Sequence, residues 1–281
     1  VKRFIARPVK EHVRRPAGSP NPAGVMGPEK NSRQAALIEF LLSAPMASAE
    51  RYEDVPGDTL FPSEHRVISG AGSARRREFA TVRACARTAL GQLGIPAGPI
   101  LPGDEGAPRW PRGVVGSMTH CAGYRAAAVA RRSDIAAVGI DAEPDAPIPI
   151  RVRARVTVAE ERTHLAELGV RRPGVSWDRL LFSAKESVFK AWYPWTGRWL
   201  EFDQVVVTLS PDDGTFHARL LVPGPRIGGG RLRGFTGGWT RRRNLLLTAV
   251  SVAPVIPAPS EQPLSRPSGR ARPHAADGEV T

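Results

Sequence analysis

The segment from Trp177 to Tyr193 carries apolar residues on two sides of a helix, and this limits the fold more than any other stretch of the chain. At 3.6 residues per turn, Trp177, Leu180, Leu181, Ala184, Val188, Ala191 and Trp192 form one stripe. Phe182, Phe189 and Tyr193 lie on a different side, close to Glu186. A surface helix needs one apolar stripe; a helix with two must pack on two neighbours. Glu186 is then expected at an internal junction, where an unpaired charge is costly. Pro194 and Gly197 are expected to stop the helix.

A second stretch, Gly139-Ile140-Asp141-Ala142-Glu143, follows the apolar lead Ala136-Ala137-Val138 and alternates at strand period. Residues i and i+2 of a strand share a face, so Asp141 and Glu143 project together from a strand end, before the loop Pro144-Asp145-Ala146-Pro147. Read singly, these features have plain explanations: a solvated acidic pair, and a Glu186–Lys190 surface ion pair at i,i+4. Read together, they are carboxylates sharing a site, which repel unless a cation joins them. A hard divalent ion that keeps some of its water and also binds phosphate answers that need. The flanking Lys185 and Lys190 suit phosphate oxygens.

The 281 residues can hold two compact units. Four segments are expected: a disordered basic leader (1–34), an N-terminal α+β half (35–137), a C-terminal α+β half carrying the acidic site (138–253) and a disordered Pro-rich tail (254–281). Net charge is +13, and residues 1–34 contribute eight Lys or Arg against two Glu, so about half the excess lies in the leader. The basic balance favours an anionic partner. No apolar run is long enough to span a bilayer; Ala35 to Leu42 is broken by Glu39. With no export signal and only Cys85 and Cys121, both read as small buried hydrophobes, a reducing cytoplasm is expected.

Residues 73–93 read as a helix with the stripe Phe79, Val82, Ala86, Ala89, Leu90 and Leu93, capped by Ser73 and ended by Gly94. Arg75, Arg76, Arg77, Arg83 and Arg87 occupy its other faces. Strands are expected at 113–119, 124–130 and 135–143, then a helix over 157–168 with Thr157 and Glu160 in capping-box register. After the long helix come strands at 204–209, 215–222, 232–239 and 244–252, with a hairpin turn at Asp212-Asp213-Gly214 and another tip at Arg241-Arg242-Arg243. Helix then strands, twice over, predicts two similar α+β halves meeting near residues 130–145. His120 sits where the 113–119 strand gives way to a turn. A lone His is usually structural, and Cys121 beside it has no zinc-ligand spacing to a second pair.

Gly139-Ile140-Asp141-Ala142-Glu143 and Phe182-Ser183-Ala184-Lys185-Glu186-Ser187-Val188-Phe189-Lys190-Ala191 together resemble the paired signature of 4′-phosphopantetheinyl transferases. Ser117-Met118-Thr119-His120-Cys121 and Arg75-Arg76-Arg77-Glu78-Phe79 through Arg83 resemble further motifs of the larger, monomeric, enterobactin-synthase-component-D-like branch, especially its actinobacterial members. The resemblance spans roughly residues 55–252. It implies a pseudo-dimer of two α+β halves in one monomeric chain, with coenzyme A between them. It also implies transfer of 4′-phosphopantetheine to a serine of an apo acyl or peptidyl carrier protein, releasing adenosine 3′,5′-bisphosphate. Neither nucleic acid nor membrane is an implied partner.

The resemblance assigns Mg²⁺ to Asp141, Glu143 and Glu186. Glu186, or a water it orients, becomes the base for the serine proton, and Lys190 stabilises or protonates the leaving phosphate. Lys185 neutralises a diphosphate oxygen. His120 hydrogen-bonds a coenzyme A phosphate, with Met118 and Thr119 lining the turn, and Arg75 and Arg83 grip the 3′-phosphate. Gly197-Arg198-Trp199-Leu200 resembles the segment near the pantetheine arm. One departure is the acidic loop Leu101-Pro102-Gly103-Asp104-Glu105-Gly106, where many relatives carry Lys or Arg; either a basic contact is missing or Arg109 replaces it. The residues alone leave two alternatives. A metal-dependent nuclease also uses carboxylates plus Lys, although such sites usually place E-x-K on a strand. A basic nucleic-acid-binding module leaves the acidic trio unexplained.

Overall fold

The computed structural model describes residues 37–55, 59–227 and 229–254. The expected leader (1–34) lies outside the described residues, as does the expected tail (254–281) apart from Pro254. The elements run β1 (Ala47–Arg51), α1 (Pro62–Ile68), α2 (Ser73–Gln92), β2 (Val114–Cys121), β3 (Tyr124–Arg131), β4 (Ala137–Pro144), α3 (Ile150–Val156), α4 (Ala159–Arg171) and α5 (Trp177–Thr196). They continue with β5 (Val205–Ser210), β6 (Thr215–Leu220), β7 (Arg226–Ile227), β8 (Gly230–Arg231), β9 (Gly234–Arg242) and β10 (Leu245–Val252). A three-stranded sheet has the order β1-β3-β2 and a five-stranded sheet the order β4-β10-β9-β6-β5; β7 and β8 form a small ribbon. The fold is α+β in two halves.

Strand alternation distributes the side chains among three cores. On β3, Ala127 and Val129 face α2 through Cys85, Ala86, Ala89 and Leu90. Tyr124, Ala126, Ala128 and Ala130 face the opposite way, against Val138, Ile140 and Ala142 of β4 and Leu245, Leu247 and Ala249 of β10. The alternate positions of β4, namely Gly139, Asp141 and Glu143, therefore turn towards α5. The apolar stripe of α5 packs on β5, β6 and β10 in the third core.

The halves meet where β2 runs beside β4. No backbone ladder joins them; side-chain hydroxyls do. Ser117 Oγ accepts from the Ile140 N–H at 3.0 Å, and Thr119 Oγ1 accepts from the Ala142 N–H at 3.0 Å. Buried edge amides need partners, and two hydroxyls on one face of β2 supply them. Each half also holds one fully buried glutamate in the first turn of a short helix. Glu64 of α1 accepts from the Phe61 and Ile100 N–H groups and from Arg87 of α2. Glu161 of α4 accepts from the Val158 and Val207 N–H groups and from Lys185 of α5. The same device in both halves supports their internal similarity.

Several expectations need correction. Strand β1 and helices α1 and α3 were not anticipated, because none of these segments of five to seven residues shows a clear period. The helix expected from Thr157 starts two residues later, and Glu161 rather than Glu160 caps it, through the Val158 N–H. Pro194 does not end α5. The stop comes at Gly197, which is left-handed at φ 64° and whose N–H bonds the Tyr193 carbonyl. The β9–β10 tip forms at Arg243 and Asn244, both with positive φ, as a two-residue hairpin requires.

Gly139 allows α5 to lie directly on β4. A Cβ there would stand 1.9 Å from the Ser187 carbonyl oxygen and 2.8 Å from the Ala191 nitrogen. Both are helix backbone and cannot swing aside. Gly139→Ala is expected to lower stability by about 3 kcal/mol or more, since overpacking a tight core costs about 1–3 kcal/mol even where side chains yield. Thermal and urea unfolding measure this; a midpoint equal to wild type would mean that α5 can lift from β4 without loss.

Candidate active site

Helix α5 presents Arg179, Ser183, Glu186 and Lys190 at spacings of four, three and four, so they form one polar row. That row lies over Asp141 and Glu143 at the end of β4. Asp141 is buried and fully bonded. Its Oδ1 accepts from Lys190 Nζ at 2.6 Å and Thr119 Oγ1 at 3.1 Å, and its Oδ2 from Ser183 Oγ at 2.9 Å. Ser183 in turn meets Thr248 Oγ1 of β10 at 3.0 Å, directly opposite Asp141 in the sheet. Lys190 also donates to the Ile140 carbonyl at 3.1 Å. Glu143 accepts from Arg179 Nη1 at 2.9 Å through Oε2.

Glu186 differs from both. It is 6 % exposed, and its Oε1 has no hydrogen-bond partner among the described residues. Burial, followed by the negative charge of Asp141, pushes its carboxyl up to about 8. Burial and then Asp141 likewise raise Glu143 to about 7, against the pull of Arg179. For Lys190 burial works to lower the ammonium, but Asp141, Glu186 and Glu143 outweigh it and the net direction is up. Asp141, Glu143 and Glu186 thus repel one another across a largely buried region, with the Lys190 ammonium beside them.

The N-terminal half contributes His120, at the end of β2, and Arg75, in the first turn of α2. Arg75 Nη1 lies 2.9 Å from His120 Nε2. A guanidinium only donates, so Nε2 accepts and the imidazole is neutral with its proton on Nδ1. Burial, and then the charges of Arg75 and Lys190, push His120 down to about 4. Arg75 remains accessible, its side chain 40 % exposed. A small cavity of about 30 Å³ opens along the seam beside Lys190, lined by Trp110, Gly116, Val138 and Pro194 among others. Cys121 is no nucleophile here: burial and then Glu143 and Asp141 push its thiol up to about 12.

Five residues picked from the sequence are held elsewhere. Lys185 is 1 % exposed, and its ammonium is taken up by Glu161 Oε2 at 2.8 Å and the Val156 and Phe202 carbonyls, so it is a buried counter-ion and not an open phosphate contact. Arg83 is also buried, donating to the Ile100 carbonyl at 2.8 Å beside Glu64. Leu200 lies in the third core, and Met118 packs on the core under α2. Thr119 serves the seam and Asp141 rather than an open turn. Sequence reading missed Arg179 and Ser183 as partners of the strand carboxylates, and Thr248 as the partner of Ser183. The row spacing on α5 pointed to the first two; nothing local pointed to Thr248, which is remote in sequence. Among the described residues, no three His, Cys, Asp or Glu side chains stand together as a ready metal cage. None of the described helices is long and apolar enough to cross a membrane.

Two family models match the chain: the 4′-phosphopantetheinyl transferase N-terminal domain over residues 63–130 and the 4′-phosphopantetheinyl transferase superfamily over residues 137–226. The chain is 56 % identical over 220 residues to 4′-phosphopantetheinyl transferase Svp of Streptomyces mobaraensis, covering 77 % of this chain and 89 % of that one. It is 44 % identical over 220 residues to 4′-phosphopantetheinyl transferase PptT of Mycobacterium tuberculosis, covering 77 % and 96 %. A more distant relative is enterobactin synthase component D of Salmonella typhi, 33 % identical over 136 residues, covering 48 % and 55 %.

Proposed function

The chain belongs to the 4′-phosphopantetheinyl transferase superfamily and is an enzyme of that class; from this premise we propose that it carries 4′-phosphopantetheine from coenzyme A to a serine hydroxyl of an apo carrier protein, with Mg²⁺, releasing adenosine 3′,5′-bisphosphate. The observation that carries the reading is Glu186, a buried carboxylate with an open oxygen, beside Asp141 and Lys190 at the seam of the two halves. An oxygen left without a partner in a dry, acidic cluster fits a divalent cation. Asp141, Glu143 and Glu186 would hold it. When bound, the ion supplies neutralising charge and Lewis acidity to the diphosphate.

The remaining work falls to the chain's own groups. The serine oxygen bonds to the β-phosphorus as the diphosphate P–O bond breaks. The serine proton passes to Glu186, or to a water that Glu186 orients. Charge develops on the departing phosphate, and Lys190 stabilises it by charge and N–H donation. His120, neutral with Nδ1–H available, donates to a coenzyme A phosphate. Arg75 meets the 3′-phosphate from the accessible side.

The basic balance of the chain suits an acidic carrier, and association should weaken as salt rises. Both halves lie in one chain, so a monomer suffices. Incubation with coenzyme A, Mg²⁺ and apo carrier, followed by mass spectrometry of the carrier, should show the gain of one phosphopantetheinyl group. No gain across several acyl and peptidyl carriers would defeat the reading.

A further inference from the structure

Arg179 reaches three acceptors, all in the segment from the end of β4 into the loop before α3. Nη1 donates to Glu143 Oε2 at 2.9 Å, Nε to the Ala146 carbonyl at 3.0 Å and Nη2 to the Pro147 carbonyl at 3.1 Å. The fork is rigid and each nitrogen has its own target, so Glu143 cannot rotate freely without breaking a charge-assisted bond. The loop is pinned further by Ile148 N–H to Asp178 and Ser176 N–H to Asp145.

We propose that Arg179 is a specificity-determining positioning residue that ties up one oxygen of Glu143, leaving a single oxygen for a divalent cation and so favouring Mg²⁺ over Ca²⁺. This rests on the reading of Asp141, Glu143 and Glu186 as the cation-binding set. Ca²⁺ gathers more oxygens than Mg²⁺ and commonly takes both oxygens of one carboxylate, whereas Mg²⁺ keeps several waters in a near-octahedral shell. Asp141 is restrained in the same sense, with Lys190 and Thr119 on one oxygen and Ser183 on the other. With both strand carboxylates held from α5, the two-oxygen grip that Ca²⁺ prefers is closed off at each. Removing the Arg179 charge would strengthen the pull on either dication alike, so the affinity ratio isolates the geometric effect.

The test is calorimetric titration of MgCl₂ and of CaCl₂ into chelator-stripped full-length protein holding coenzyme A. It compares wild type, Arg179→Met, Arg179→Lys and Glu186→Gln. Arg179→Met should shift the affinity ratio towards Ca²⁺ by about tenfold, within the range for residues that orient metal ligands. Arg179→Lys keeps a point charge but not the fork, and should shift it less in the same direction. An unchanged ratio in the folded variants, with wild type binding Mg²⁺ and Glu186→Gln not binding it, overturns the role of Arg179 and leaves the cation site standing. If Arg179→Met does not fold, the Arg179→Lys ratio decides alone. Wild type binding neither ion, or Glu186→Gln binding like wild type, would remove the cation site and this inference with it.

Discussion

Glu186→Gln is expected to abolish phosphopantetheine transfer while making the chelator-treated protein more stable. The substitution keeps the shape and removes the charge. In the absence of a cation, Glu186 is a buried group with an unpartnered oxygen beside Asp141, and such a group costs about 1–3 kcal/mol. The sign with pH follows from the raised carboxyl. The folded chain keeps the Glu186 proton up to about 8, whereas the unfolded chain releases it near the ordinary carboxylate value of 4.5. Wild-type stability therefore falls as pH rises through that window, and the advantage of Glu186→Gln widens from pH 5 to pH 8. Turnover should drop by about a thousandfold or more, as loss of a general base alone typically costs about 10²–10⁴ and the cation would be weakened as well. Thermal melts in chelator and the carrier mass assay measure the two effects. Wild-type turnover would remove Glu186 from the chemistry. A lower melting point in chelator at pH 8 would mean that its charge is satisfied in the fold.

Lys185→Met is expected to do the reverse, with a large loss of stability and persistent transfer in the molecules that remain folded. Lys185 and Glu161 are both essentially excluded from water, and the ammonium also satisfies two backbone carbonyls. Removing one partner of a buried pair leaves the other uncompensated, which costs about 3–5 kcal/mol. The strain spreads, because Glu161 is also the acceptor for the Val158 and Val207 amides and so ties α4 to β5. Denaturant unfolding, with transfer rates normalised to the folded fraction, separates the outcomes. A stable but inactive Lys185→Met protein would return Lys185 to the phosphates.

Much of the C-terminal half was legible because its signals are local. Period two over residues 136–143 and period 3.6 over residues 177–193 each lie within one element, and they put Asp141, Glu143, Glu186 and Lys190 within reach of a common site. The N-terminal half was less legible. Ala47–Arg51 shows no alternation and becomes a strand only because β3 offers it a partner from Ala47–Val129 to Arg51–Arg125. The seam was also hidden: Ser117 and Thr119 lie in an ordinary strand pattern until β4 brings two unpaired amides to their hydroxyls.

Lys185 and Glu186 divide most clearly what each level decides. The amino-acid sequence determines that both lie on one buried helix, that Asp141 and Glu143 share one face of a strand, and that the chain folds as two α+β halves. It does not decide which way each side chain faces a neighbour. Successive helix residues are turned by about 100°, so adjacent members of one motif enter different surroundings. Tertiary packing carried Lys185 to Glu161 and two carbonyls, and Glu186 to Asp141 with an oxygen left open. Burial and partners are properties of segments distant in sequence, and they set the charge and availability of each group. Only the assembled halves could decide which cation neutralises a partner and which carboxylate keeps an unpartnered oxygen.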